Sequence, residues 1–543
     1  MNKELCYSTN ENTQESLGKS SLNVAIVCLY GYPQKHDSEP FAGQTLKALL
    51  DQRFSDTVAS RIYLLGRDSE KQNEVNTLAQ ELVENDNTQI IGISIPQGTY
   101  QLAGEFLSAL EKFEYKGLKI LGHALPTYLP ENFINSFPNA LIIRGWGEES
   151  FCSVVEKELK HSKDFSDIPN LTYLHDDKII NNTIEWPNVF VQPVRYDVQN
   201  FFPRIEASRG CHHNKCTFCT RPLQEKNQQP WVRIPPEIVL RDLKDLHEHG
   251  VTNFTFTDED FIGNDLSGAL QIAEGIKQIG GFKFALDLRA DSILNRSDTP
   301  EKARDRDQLI KTLKEAGLSL VYVGAETLSD TQLKRYGKGV SPNEEITAIN
   351  KIINLSIPME LGLITFDPVV SIQELSENVK MLENTGIWRY AGQLFNELHV
   401  FEGNSYCNIL KKAELDRGFD PDYMTYSYAY KYSEIENIRN VCMPFKKEFD
   451  SVYTSARNIF RTTFRIPNTI DEYLTQYRKN ELAMLKKLLK NPSHDNKILK
   501  DARYSEYSRV LALKEGLKDN FLDTKPEYNE LVNNIDKYIE SFK

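Results

Sequence analysis

Cys211, Cys216 and Cys219 fall within nine residues of one segment, SRGCHHNKCTFCTR (208–221), with Phe218 between the last two. Thiolates at such short spacing are ligands for soft metal centres. A structural zinc ion wants a closed tetrahedron of four protein ligands, and the neighbours available are His212 and His213. A histidine adjacent to the first cysteine would have to fold back sharply to serve. A cubane [4Fe-4S] cluster usually takes four thiolates, so three leave one iron open to bind something else. An open iron implies chemistry.

The surrounding elements must bring such a loop to a working surface. The chain begins with short apolar runs rich in β-branched residues, NVAIVCLY (23–30), RIYLLG (61–66), TQIIGISI (88–95), LKILG (118–122) and ALIIRG (140–145). Between them lie helical spacings such as QLAGEFLSALEKFEY, where Leu102, Phe106 and Leu110 share a face. Continuous apolar strands alternating with helices predict an α/β, doubly wound (Rossmann-like) domain over 23–160, with ligands beyond the carboxyl ends of its strands. IPNLTYLHDDKIINNTIEWPNVFVQPV reads as a β-hairpin and a Pro-punctuated linker, which sets a boundary region at 161–200.

The alternation resumes over 201–402, with strands predicted near 204–208, 251–258, 282–289, 318–326, 357–366 and 392–400. Six such units make a partial (β/α)6 barrel, whose chemistry belongs at the C-terminal ends of the strands. PPEIVLRDLKDLHEHG shows the helical grammar of the gaps, with Pro at its start, Val239, Leu243 and Leu246 on one face and Gly250 at its end. The cysteines follow the first barrel strand. Residues 403–543 are Tyr- and Lys-rich and read as helical, either solvated helices packed on the barrel or a cap that touches substrate.

Bulk properties narrow the class. A formal net charge of -13 over 543 residues argues against a general nucleic-acid binder. Eight cysteines, five of them scattered singly, suit a reducing compartment rather than a disulfide scaffold. The first 22 residues are polar and read as disordered, and no window reaches the apolar run of about 18 residues that a membrane span needs. A soluble cytoplasmic protein is expected.

At SRGC and CTFC the sequence resembles the radical S-adenosylmethionine (SAM) enzymes, and the resemblance runs over roughly 200–400. It implies that Cys211, Cys216 and Cys219 hold a [4Fe-4S] cluster whose open iron chelates SAM, and that an electron from the cluster releases a 5'-deoxyadenosyl radical. It departs at the first spacing, where four residues, HHNK, stand in place of the usual three. By the same resemblance, Thr257, Asp258 and Asp260 in FTFTDEDF face the methionyl part of SAM, and Arg289 in LDLRAD pairs with its carboxylate through a fork of donors. Glu326 in VYVGAET meets the ribose or amino group, and Phe366 and Asp367 in ITFDP pass beside the adenine. Each has a plainer reading as an acidic turn, a surface ion pair or a buried structural carboxylate.

The front domain resembles the cobalamin-binding domain of one radical SAM subclass, through GISIPQGTY and ILGHALPTYLPENF. Ser94, Gly122 and His123 stand where that fold has its serine and its glycine pair. Missing is the Asp-x-His-x-x-Gly motif that supplies an axial histidine, with His36 and His123 the nearest histidines by position. The resemblance therefore implies an enzyme using a cluster, SAM and cobalamin to functionalise an unactivated C–H bond of a small molecule, by methyl transfer, rearrangement or oxidation. A reductase, flavodoxin or ferredoxin would supply electrons. Two rivals stay open: a corrinoid-independent radical SAM enzyme, and a non-catalytic iron-sulfur or zinc redox sensor.

Overall fold

The computed structural model describes residues 22–31, 39–66, 74–195, 198, 201–220, 230–492, 496–520 and 526–542. The expected N-terminal disorder and His36 lie outside these residues. Strands β1 (Leu22–Tyr30), β2 (Val58–Gly66), β3 (Ile90–Ser94), β4 (Leu118–Gly122) and β5 (Ala140–Ile143) form a parallel sheet in the order β2-β1-β3-β4-β5. Their central residues are apolar because both faces are covered, while Ser60 and Arg61 mark β2 as the edge strand. The helix Tyr100–Lys112 buries Leu102, Phe106 and Leu110 on one face, and Phe151 and Val155 pack on the other. In this order the chain reverses direction between β1 and β3, which opens a crevice at the strand ends.

The hairpin expected within the 161–200 linker belongs instead to this sheet. Strands β6 (Leu171–His175) and β7 (Lys178–Asn181) extend it antiparallel beyond β5, and Leu171 and Tyr173 enter its core. Asp176 and Asp177 take φ of 48° and 59°, the left-handed pair that a tight two-residue hairpin demands. The linker that follows carries Arg195, whose buried guanidinium lies 2.5 Å from Glu39 of the front domain and 2.6 Å from Asp242 of the barrel.

The barrel strands β8 (Arg204–Ile205), β11 (Asn253–Phe256), β12 (Lys283–Leu288), β13 (Leu318–Glu326) and β14 (Met359–Leu363) are parallel, in the order β14-β13-β12-β11-β8. A two-residue ladder, β9 (Ser208–Arg209) with β10 (Val232–Arg233), opens the cysteine segment. The sixth stretch runs beside β14 through two parallel bridges, Leu361 to Ala391 and Phe366 to Glu397, rather than a continuous ladder. The amides of Leu394 and Phe395 are taken instead by the Glu481 carboxylate, at 2.9 and 3.3 Å.

The region after 402 is not helical at once. Strands β15 (Val400–Phe401), β16 (Asp416–Asp420) and β17 (Thr425–Tyr428) form a small antiparallel sheet, favoured by the aromatic and β-branched run TYSY. Its loop docks on the front domain, with Met424 in that domain's core and the Asp422 carbonyl accepting from Gly98 N at 2.6 Å. The helices Ser433–Thr463, Asn468–Lys490, Asn496–Asn520 and Pro526–Phe542 then share one apolar core with the barrel.

Candidate active site

The cysteine loop leaves the first barrel strand through Gly210, at φ +82°. A Cβ there would stand 2.5 Å from the Pro230 carbonyl, so both the turn and the close approach require glycine. Cys211 and Cys216 are buried and Cys219 is partly exposed. The loop rests on the segment after β13: Thr217 donates from its amide to Tyr336 O (2.9 Å) and from its hydroxyl to Arg335 O (3.0 Å). Phe218 meets the Tyr336 ring edge-on at 5.2 Å.

The acidic residues after β11 turn toward this loop. Asp258 accepts from Ala207 N (3.0 Å) and from the Ser208 hydroxyl, and burial pushes its pKa up to about 7 against those bonds. Asp260 accepts from Ser292 Oγ (2.8 Å) and faces His212 Nδ1 (2.6 Å). Burial opposes a charge on His212, but Asp260 and Asp291 outweigh it and raise the pKa to about 9. Arg289 is buried, and its fork engages Asp291 at 2.9 and 3.2 Å, with Nη2 also donating to Lys338 O (2.8 Å) and Nη1 3.6 Å from Cys216 Sγ. Expected to face SAM, Asp258 and Asp260 instead engage residues of the cysteine segment, and Arg289 is held mainly by Asp291 and Lys338 with one donor beside Cys216. Thr257 lines the cavity between barrel and front domain.

Inside the barrel a cavity of about 270 Å³ is lined by Phe218, Tyr322, Glu326, Gly362, Asn396, His399, Lys446 and Arg457. Glu326 takes φ +65° at the end of β13, which turns its carboxylate to Lys338 Nζ at 3.3 Å. Phe366 and Asp367 are enclosed in the core. Asp367 accepts from Gln332, Arg335, Tyr336 and Tyr406 at 2.8–2.9 Å, so it organises the wall rather than facing the cavity. Sequence reasoning missed Lys338, whose only signal was the Gly-rich RYGKG. It also missed Glu345, a buried carboxyl that burial lifts to about 8. Lys446 and Arg457 come from the helix Ser433–Thr463, which had carried no readable motif; the C-terminal region therefore forms part of the lumen wall.

The second cavity, about 360 Å³, lies between the two domains. Ser94 and Gly122 are register partners at the ends of β3 and β4. A Cβ added to Gly122 would meet nothing within 4 Å, so the glycine leaves open space. His123 sits at φ +80° with its side chain exposed along this cavity, and desolvation by the surrounding protein, with Arg204 nearby, lowers its pKa to about 4. The barrel side consists of Glu206, Ser208, Arg209, Gly210, Thr257 and Glu259. Arg209 lies between the Trp146 and Phe190 rings at 5.4 and 5.5 Å and pairs with Glu148 and Glu206 at 2.7 and 2.9 Å. Size and lining match a site for a sizeable apolar-bodied ligand.

A parallel α/β barrel with three cysteines on the loop after its first strand defines the radical SAM domain. Residues 205–382 match the radical SAM superfamily. It is 27% identical over 340 residues to the 4'-phospho-dehydrooxetanocin synthase of Priestia megaterium, a match covering 58% of this chain and 45% of that protein. It is 29% identical over 166 residues to the hopanoid C-2 methylase of Rhodopseudomonas palustris, covering 30% of this chain and 26% of the methylase. Among solved structures, the cobalamin-dependent SAM radical enzyme OxsB with aqua-cobalamin bound superposes with a TM-score of 0.79 at 19% identity, over 96% of this chain and 84% of OxsB. The methyltransferase TsrM from Kitasatospora setae, with cobalamin and a [4Fe-4S] cluster bound, gives 0.54 at 12% identity, over 67% of this chain and 70% of TsrM. At these identities the structural likeness is one of fold, and with OxsB it includes the front domain and the C-terminal helices.

The donor set fits the cluster this superfamily implies. Three thiols share one loop, and a cubane takes one thiolate per iron, so its ligands need not converge on a point as zinc ligands must.

Proposed function

We propose that this protein is a cobalamin-dependent radical SAM enzyme that functionalises an unactivated C–H bond of a small molecule, by methyl transfer or rearrangement. One observation carries the reading: Ser208, Arg209 and Gly210, the residues leading into Cys211, are also a wall of the inter-domain cavity. A ligand lodged between Gly122 and Gly210 would sit against the cysteine loop. The relatives' names, a synthase of a phosphorylated product and a C-methylase, support small-molecule chemistry of this kind.

Cys211, Cys216 and Cys219 would hold the cluster, and Ser94, Gly122 and His123 would border the corrinoid. When bound, the cluster and corrinoid supply one-electron reduction and methyl or radical chemistry. The chain's own residues bind, orient and exclude. Asp258 and Asp260 fix the loop, Arg289 places a positive charge beside Cys216, and Glu326 with Lys338 gives the lumen a polar end for SAM. Phe218 and Tyr322 give it an apolar side that keeps water from a reactive substrate. A flavodoxin- or ferredoxin-type donor would deliver the electron.

The test is anaerobic expression with hydroxocobalamin, followed by incubation with SAM, reductant and candidate metabolites and mass spectrometry. Cobalt and iron retained together with SAM consumption supports the reading. Iron and SAM consumption in cobalt-free protein, under conditions that load a cobalamin-binding relative, returns the corrinoid-independent rival.

A further inference from the structure

We propose that His212 is a positioning residue for the cysteine loop and, through Asp291 and Arg289, for the sulfur of Cys216, so that the four-residue spacing HHNK works as a two-sided clasp. This rests on reading the three cysteines as cluster ligands.

One side of the clasp is the His212 ring. Its Nδ1 lies 2.6 Å from Asp260 Oδ2 and its Nε2 3.6 Å from Asp291 Oδ2. Each ring nitrogen thus faces a carboxylate oxygen, Asp260 within hydrogen-bond distance and Asp291 just beyond it. Asp260 follows β11 and is anchored by Ser292, and Asp291 follows β12. A single ring therefore ties the loop after the first barrel strand to the ends of the next two.

The other side is His213, which meets a different element. Its Nε2 lies 2.6 Å from the Gly337 carbonyl on the loop after β13. Gly337 and Gly339 have φ of +64° and +77°, and Cβ atoms there would stand 2.7 Å from Lys215 O and 2.7 Å from His213 Cε1. These glycines let the two loops touch. Between these histidines and the second cysteine, Asn214 takes φ +43°, the left-handed conformation that asparagine tolerates.

The relay follows from shared atoms. Asp291 Oδ2, the oxygen facing His212, also accepts from Arg289 Nη2 at 3.2 Å, and Arg289 Nη1 lies 3.6 Å from Cys216 Sγ. Losing the His212 contact would free Asp291 to turn, leaving Lys338 O as the guanidinium's other anchor and altering its approach to the sulfur.

The two limbs can be separated, because asparagine keeps a donor near the Nδ1 position and glutamine near Nε2. In the metal-free full chain, alkylation of Cys211 and Cys216 by iodoacetamide, followed by mass spectrometry, reads how firmly the loop is held. We expect His212→Phe to speed it about tenfold, and His212→Asn, which keeps the Asp260 bond, to leave it near wild type. After anaerobic reconstitution, the EPR g values of the reduced cluster should shift in His212→Asn and His212→Phe and hold in His212→Gln. Alkylation in His212→Phe at the wild-type rate would overturn the clasp, and identical EPR spectra in all three variants would overturn the relay. A wild-type chain that forms no cluster would remove the cluster reading, while the alkylation rates still decide the clasp.

Discussion

Around Cys216 the loop is crowded with committed polar atoms: Asp258 on Ser208, Asp260 on His212, Arg289 on Asp291 and Lys338. Across the Arg209 strand, the front-domain wall is defined by what is missing, with Gly122 facing open space and Ser94 beside it. The first region fixes a loop by charge and hydrogen bonds, and the second leaves a volume. The two should therefore respond differently to substitution: deletions should ruin the first and additions the second.

The largest effect should come from the thiols. Cys211→Ala, Cys216→Ala or Cys219→Ala should lower iron from about four per chain to near zero after anaerobic reconstitution. Cobalt uptake should survive in all three, checked by metal analysis of the same samples. Conversely, Gly122→Trp and Ser94→Trp should abolish cobalt retention and leave iron unchanged; cobalt kept by both would mean that the cavity is not the corrinoid's place.

A smaller change should follow where the regions are tied together. Arg195→Ala leaves Glu39 and Asp242 buried without their shared cation, which should cost about 3–5 kcal/mol of stability in denaturant titration. The smallest is a pH effect at Glu481, whose burial lifts its pKa from 4.5 to about 8. A carboxyl raised on folding favours the fold most below about pH 4.5, and that favour is lost as pH rises through about 8. The melting temperature should therefore fall between pH 5 and 9 by more in the wild type than in Glu481→Gln, whose amide oxygen still accepts from Leu394 N.

The same contrast explains what the sequence made legible. Thiols and alternating apolar strands are positive signals, so the cluster loop, the doubly wound sheet and the barrel could be read directly. Ser94 and Gly122 were legible only through family resemblance, because a small residue signals space without saying for what. The β6–β7 hairpin was recognised, but its partner was not, since pairing with β5 depends on a distant edge. The sixth barrel stretch looked like a strand because its residues are apolar, yet Glu481, some 86 residues away, takes its amides. Asp258, Asp260 and Arg289 could be singled out from the sequence and lie beside the cysteine loop, but their partners, His212, Asp291 and Lys338, emerge only in three dimensions. Lys446 and Arg457 had no local signal at all, because a cation on an amphipathic helix reads as solvated until the helix is seen against the barrel lumen.

The central claim is that three thiolates hold a cluster with one iron open to SAM. The most direct test is the EPR spectrum of the dithionite-reduced, reconstituted wild-type chain before and after saturating SAM. A cluster signal whose g values change on SAM addition is the expected result. A signal unaltered by SAM, or stoichiometric zinc in place of iron, would contradict it.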